Sequence, residues 1–506
     1  MTRSAMTKLC ITVAALAGVA TVGTAQQPFL LDNGFHTQLA NSVFGSSAIG
    51  SVVELQDGKL LASGYIYYPW DDHGNYLTTR LMPSGTKDFS FDWSPGGGPI
   101  RPWNGKWYVG GGQGVVRLNG DGTQDQGFHF GFSTPQEPSN LFQVGQGGDF
   151  AVRLDGGLLL AGSHIVTDSA RGFFGGYQLV WMDSIGELDT TMVHRQANGV
   201  LWSIQELPDG KFITGGGGVT MFEGRPVGGI IRTLPDGGLD TTFTSPLFTY
   251  GVPHIFFPLP NGKILVGGVL QFDHGDTLSL VRLLPNGELD PAFNNALQTM
   301  HEYDTYSPFW APVRSILPWG PDRYIITGRF TQVEGEVRRG IAMIDTAGYL
   351  VDDIFSGPGC ISPAQSYGPP PNGGPPYIEL WGTTVLNSGK LLIYGGYQGY
   401  DDGISSHTTQ LAISRLHGGS VGIAEHEAVS FSLYPNPATT YATVELEAMP
   451  RNGQLVLHDA LGREVLRQRV AGYHNTVPLQ GLGKGVYLLE LREEGTRRVA
   501  QRLVVQ

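Results

Sequence analysis

The stretch IQELPDGKFITGG (residues 204–216) decides the fold. Asp-Gly populates the positive-φ positions of a type I′ turn, so the stretch reads as a β-hairpin bent at Asp209-Gly210. The residues after the turn alternate as a half-buried strand requires, and a glycine pair ends the strand. The pattern recurs as VVELQDGKLLASG (52–64), IRPWNGKWYVGGG (100–112), VRLDGGLLLAG (152–162), FPLPNGKILVGG (257–268) and VLNSGKLLIYGG (385–396). A degenerate copy, ILPWGPDRYIITG, spans 316–328.

Between these hairpins runs a second motif: a strand, a glycine turn, then L-D-x-x-F or a relic of it. It reads RLMPSGTKDFSF (80–91), RLNGDGTQDQGF (117–128), VWMDSIGELDTTM (180–192), RTLPDGGLDTTF (232–243), RLLPNGELDPAF (282–293) and AMIDTAGYLVDDIF (342–355). The Asp suits a bend that needs an acceptor, and the Phe suits packing between units. Two hairpins make four strands, so each unit of roughly fifty residues matches one blade of a β-propeller. Seven copies predict seven blades.

The ends of this array are complementary. The seventh unit stops at SRLHGG (414–419) without its L-D-x-x-F, while FLLDNGF (29–35) supplies Leu31, Asp32 and Phe35. An N-terminal strand that completes blade seven would remove the unpaired edges of an open ring.

Composition agrees with an all-β chain. Gly is 74 of 506 residues, about twice ordinary usage, and glycine disfavours helix interiors. The 53 aromatic residues and 41% hydrophobic content supply a core and exclude disorder for most of the chain. Residues 26–429 hold 21 Lys/Arg against 38 Asp/Glu, a net charge of −17, which repels phosphate backbones and argues against nucleic acid as a partner.

Residues 1–25 read as a signal peptide: Arg3 and Lys8, an apolar run from Leu9 to Val22, then the small-residue site Gly23-Thr24-Ala25. The run is too short for a membrane span, and no later stretch is apolar enough to be a transmembrane segment. Cleavage removes Cys10 and leaves Cys360 alone, so no intramolecular disulfide is expected.

The repeat resembles the delta-60 type found in secreted bacterial proteins, over about residues 29–418. Its best copies are FTQVEGEVRRGIAMIDTAG (330–348) and MFEGRPVGGIIRTLPDGGLDTTF (221–243). Kelch repeats also pair glycines, but the Tyr and Trp that regularly follow them are absent here.

After a segment read as a linker (420–429), the repeat disappears. Short alternating strands broken by Pro or Gly over 430–506 suggest a small Ig-like β-sandwich. These residues resemble the C-terminal sorting domain (type A) of the type IX secretion system of Bacteroidetes-type bacteria. The matching elements are Tyr434, Pro435, Asn436 and Pro437, then Asp459 with Gly462, then Gly485 with Tyr487. The resemblance implies the type IX machinery as a partner through residues 430–506. It also implies export across the outer membrane to the cell surface or the medium.

Motifs for chemistry are missing. No H-E-x-x-H, paired C-x-x-C, EF-hand, G-x-S-x-G, P-loop or Rossmann fingerprint occurs, so no catalytic residue, metal or cofactor is assigned. NGDGTQD (119–125) has its Gly at the fourth place rather than the sixth of a calcium loop, and reads as a turn. Two Tyr-rich, acid-tipped loops stand out in the first and last blades, which a closed ring makes neighbours. They supply the binding candidates Tyr67, Trp70, Asp71 and Asp72, and Tyr397, Tyr400, Asp401 and Asp402. Flat rings beside acids suit stacking on sugars. The body therefore reads as a binding module for a surface glycan or protein. The alternative is a polysaccharide-acting enzyme, a glycoside hydrolase or lyase, using loop carboxylates.

Overall fold

The computed structural model describes residues 29–42, 45–70, 76–91, 96–111, 114–129, 141–246, 248–272, 277–302, 311–355, 357–363, 378–404, 406–418, 431–446, 453–459, 463–472, 474–492 and 498–506. The expected signal peptide and linker lie outside the described residues. The chain divides into two compact units at Gly419/Ser420.

In the first unit, each hairpin of the repeat heads an antiparallel sheet, and the sheets succeed one another along the chain. Sheet 1 holds Ala48–Glu54, Leu60–Ile66 and Tyr76–Leu81; sheet 2 holds Gly97–Trp103, Lys106–Gly111 and Gly114–Leu118. Sheets 3 to 6 follow with middle strands Leu158–Asp168, Phe212–Gly217, Ile264–Phe272 and Arg323–Gly328. Sheet 7 adds a fourth strand: Gly359–Pro363, Glu379–Val385, Leu391–Asp401 and Ser406–Leu416. The hairpin's leading strand in each sheet touches its counterpart in the next, and Glu379–Val385 of sheet 7 touches Ala48–Glu54 of sheet 1. The series therefore closes on itself. Glycine pairs permit the bulge in these hairpins: a Cβ at Gly216 would lie 1.7 Å from the Val200 carbonyl oxygen.

Five of the hairpin turns differ from the expected type I′. Positive φ falls on glycine alone, at Gly58, Gly156, Gly210, Gly262 and Gly389. Leu207 N donates to Lys211 O at 2.7 Å and Gly210 N to Leu207 O at 2.9 Å, which is a three-residue loop with a left-handed glycine. The side chain before the glycine explains four of them. Asp57, Asp155, Asp209 and Asn261 each accept the backbone N–H two residues on, at 2.9 to 3.3 Å, so only the glycine needs the left-handed region. The two-residue loop with both φ positive forms at Asn104-Gly105, at 45° and 72°.

The expected fourth strand of the first six units is a single bridge. Leu81 pairs with Lys87, Leu118 with Gln124, Met182 with Leu188, Thr233 with Leu239, Leu283 with Leu289 and Ile344 with Leu350. In five of the six, the next residue is Asp, and its side chain turns inward. Asp88 meets Lys59 and Arg80, Asp125 meets Lys106 and Arg117, Asp240 meets Lys211 and Arg232, and Asp290 meets Lys263 and Arg282, all at 2.5 to 3.1 Å. The lysine comes from the first hairpin turn and the arginine from the third strand. Each arginine lies 4.7 to 5.2 Å above the Phe of its own L-D-x-x-F. Its Nη1 then donates to a turn carbonyl of the following sheet, at Asp121, Ser184, Pro285 and Thr346. The motif is thus an inter-sheet tie.

Sheet 7 takes its tie from the other end of the chain. Leu31 pairs with Leu416, and Asp32 meets Lys390 at 2.6 Å and Arg415 at 2.7 Å. Phe35 is fully buried 4.8 Å beneath Arg415, whose Nη1 donates to Pro83 O of sheet 1 at 2.6 Å. Burial opposes ionisation of Asp32. Hydrogen bonds from Lys390, Gly34 N and Arg415 outweigh it and hold its pKa at about 2. Sheets 3 and 6 depart from the rule. Trp181 and Met343 replace the arginine, and Asp189 turns to Arg153 at 2.9 Å instead.

The second unit has two sheets on one core. Phe431–Tyr434, Tyr441–Leu446 and His474–Pro478 form one; Glu464–Arg469, Gln454–His458, Gly485–Arg492 and Arg498–Val505 form the other. Alternation along Tyr441–Leu446 puts Ala442, Val444 and Leu446 inside, against Leu455, Leu457 and Leu489. No helix among the described residues is long and apolar enough to cross a membrane.

Candidate functional site

The residues singled out in the tail hold its last strand in place. Tyr434-Pro435 and Asn436-Pro437 are cis, and Asn436 faces the strand Arg498–Val505. Its amide nitrogen donates to Arg502 O at 2.7 Å and its oxygen accepts Val504 N at 2.9 Å. Ala438 N donates to Val504 O and Gln506 N to Ala438 O, at 2.8 and 2.9 Å. One asparagine side chain therefore substitutes for a neighbouring strand where prolines can donate nothing. Tyr434 is exposed, with its hydroxyl 3.0 Å from Glu445. Asp459 accepts Arg463 N at 2.9 Å and Arg463 Nε at 2.8 Å. Gly462 lies outside the described residues. Gly485 opens the strand whose Tyr487 hydroxyl donates to Gly483 O at 2.8 Å.

These motif residues coincide with what the comparison with known families finds. The tail matches the secretion system C-terminal sorting domain. The match spans residues 432–506. Residues 104–128, 207–243 and 259–293 match a second family, described as a domain of unknown function (DUF5122) beta-propeller. The body is thus an all-β propeller, and the sorting domain marks the chain for type IX secretion to the cell surface or extracellular space. No curated protein matches the sequence. Among solved structures, PorZ, a surface component of the type-IX secretion system of Porphyromonas gingivalis, is 10% identical. It covers 95% of this chain and 86% of its own, at a TM-score of 0.25. BamB from Moraxella catarrhalis is 11% identical over 77% of this chain and 98% of its own, at 0.28. A fungal alcohol oxidase of the AA5 family, in complex with copper, is 12% identical over 94% and 100%, at 0.30. At these scores the likenesses carry no argument.

On the propeller, the two Tyr-rich loops part company. Tyr397 and Tyr400 are fully buried beside Cys360, and Tyr397 donates its hydroxyl to Ser414 Oγ at 2.8 Å. Burial pushes both phenols well above their usual range. Neither ring presents a face to a ligand, because both are packed in one core cluster with Phe29, Leu31, Phe355 and Ile378. Asp401 accepts Gly403 N and Ser406 Oγ at 2.9 and 2.8 Å. Asp402 accepts Ile404 N at 2.9 Å and Leu31 N at 3.1 Å. Both acids hold a turn, and Asp402 also anchors the N-terminal segment.

In sheet 1, Tyr67 is nearly buried, and its carbonyl accepts Ala40 N at 2.9 Å. Asp71 and Asp72 lie outside the described residues. Trp70 remains open to solvent. It stacks on Tyr68 at 5.0 Å and tilts against Phe89 at 5.7 Å, while Tyr76 meets Tyr68 edge-on at 5.7 Å. Lys87 Nζ lies 4.2 Å from the Tyr76 ring centre, 4.8 Å from Tyr68 and 5.6 Å from Phe89. The sequence reading found Trp70 but missed Lys87 and Phe89. Comparing the repeats with one another would have found both, since each departs from its counterparts.

Among the described residues no group of His, Cys, Asp and Glu converges as a metal site. His164 and His194 are buried, which depresses both to about 4.

Proposed function

We propose that residues 26–419 form a seven-bladed propeller of the delta-60 type that works outside the cell as a binding module. Residues 420–429 act as a linker, and residues 430–506 deliver the body. The match of the tail to a secretion sorting domain carries the exported half of this reading. The binding half rests on how the body spends its acids: Asp32, Asp88, Asp125, Asp240 and Asp290 tie sheets, and Asp401 and Asp402 hold turns. Among the described residues, sheet 1 leaves the rings of Trp70 and Phe89 exposed side by side, and that suits recognition better than acid–base chemistry. A glycan-array and peptide-binding screen of the exported chain, run beside a turnover assay, tests this. Binding without turnover is expected. Turnover on a polysaccharide that is lost in Asp71→Asn or Asp402→Asn would replace this reading with the enzyme.

A further inference from the structure

The repeats serve as an internal alignment: what recurs is needed by the fold, and what departs from it in one copy needs another reason. At the bridge position after the second turn, five of seven copies carry leucine (Leu31, Leu188, Leu239, Leu289, Leu350). Sheet 1 has Lys87. At the position after the tying Asp, the other copies carry small or polar residues such as Asn33, Gln126 and Thr241. Sheet 1 has Phe89, 68% exposed. Both departures fall in one sheet and meet one cluster of rings, Tyr68, Trp70 and Tyr76.

Lys87 is also singular in its charge. The segment 26–419 has six lysines. Five are the tying lysines, each against its Asp. Lys87 has no carboxylate partner among the described residues; its ammonium is lined by π faces instead. Exposed rings gathered in one patch mark an interaction site more often than a packing need.

We propose that Trp70, Phe89 and Lys87 form a subsite for a single acidic sugar residue, a pyranose carrying a carboxylate. The C–H face of the ring would lie on Trp70 and Phe89, and the carboxylate would reach Lys87 Nζ. The ligand has one charge at this point rather than a run of them, because the body's net charge of −15 over residues 26–419 repels a polyanion. The wall has flat faces and suits a ring better than an inserted side chain. This inference rests on the binding-module reading and narrows it to one site and one ligand class.

The test is calorimetric titration of the full exported chain with a glucuronate-terminated oligosaccharide and its glucose-terminated twin. The wild type should prefer the uronate by about tenfold, a preference worth roughly 1.4 kcal/mol that added salt should erode. Phe89→Ser and Trp70→Ala should each weaken both sugars by about tenfold. Lys87→Gln should remove the preference and spare the neutral sugar, and Lys87→Arg should restore it. Phe89 is exposed, so its replacement leaves the fold intact and keeps the test open if Trp70→Ala misfolds. A glycan or peptide bound alike by the wild type, Phe89→Ser and Lys87→Gln would overturn the subsite and leave the binding module standing. An acidic peptide bound here in place of either sugar would overturn the ligand class. Binding of nothing in the screen would overturn both proposals.

Discussion

Asp32 and Arg415 meet at 2.7 Å although 383 residues separate them. The same pairing occurs in sheets 1, 2, 4 and 5 between residues eight apart, as in Arg80–Asp88 and Arg232–Asp240. The first strand-forming residues of the body thus do for the last sheet what each sheet otherwise does for itself. Because Arg415 also reaches Pro83, one guanidinium joins the N-terminal segment, sheet 7 and sheet 1.

Asp32→Ala should therefore destabilise the body by about 3–5 kcal/mol, since it strands two cations that burial has partly desolvated. Asp57→Ala, which removes one exposed turn hydrogen bond to Lys59 N, should cost only about 1 kcal/mol. Chemical denaturation of the two variants compares them directly. Equal midpoints would show that the ring does not depend on this tie.

Acid should weaken the body in two steps. His164 and His194 have folded pKa values of about 4, below the 6.5 of a free imidazole, so the unfolded chain binds protons first. Their contribution is complete above pH 6.5 and is lost as pH falls toward 4. Asp32, Asp125 and Asp290 have folded values of about 2, so their contribution persists above the free value near 3.8 and disappears between about 4 and 2. Urea midpoints from pH 7.5 to 2.5 should show both phases. His164→Phe should flatten the upper one.

Asn436→Ala should loosen the last strand of the sorting domain, because two backbone groups lose their partner at once. A loss of about 1–3 kcal/mol in the tail is expected, with a smaller exported fraction and more full-length protein in the periplasm. Deleting residues 430–506 should abolish export. Normal surface or medium levels for the deletion would refute the role of the tail.

Gly156→Ala should cost more than Gly105→Ala. Both glycines have positive φ, worth about 1–2 kcal/mol against alanine. A Cβ at Gly156 would also lie 2.4 Å from the Trp103 ring, whereas one at Gly105 meets nothing within 4 Å. Thermal melting of the two variants should separate them. Equal shifts would mean that Trp103 moves aside freely.

Cys360 should be silent toward thiol reagents in the folded protein. It is fully buried among Tyr397 and Tyr400, and burial pushes its thiol well above the usual range. Labelling should appear only with denaturant, and rapid labelling in buffer would show that this end of sheet 7 opens.

The sequence by itself determined the repeat. Glycine turns at regular spacing can only be hairpins, and the alternation after each turn chose the buried face. The tail was equally legible, because Tyr434 to Pro437, Asp459 and Tyr487 stand at fixed places in a short segment. Local chemistry suffices for such features. Tertiary structure alone decided where the charges go. Lys263 and Asp290 lie 27 residues apart, and nothing in either motif announces that they share an oxygen with Arg282. Tertiary structure also separated two loops of like composition. Phe29 and Leu31 of the N-terminal segment, with Phe355 and Ile378, packed against Tyr397 and Tyr400 and made them core, while Trp70 and Phe89 stayed in water. Burial is a property of what packs above a residue, and that neighbour comes from a distant part of the chain.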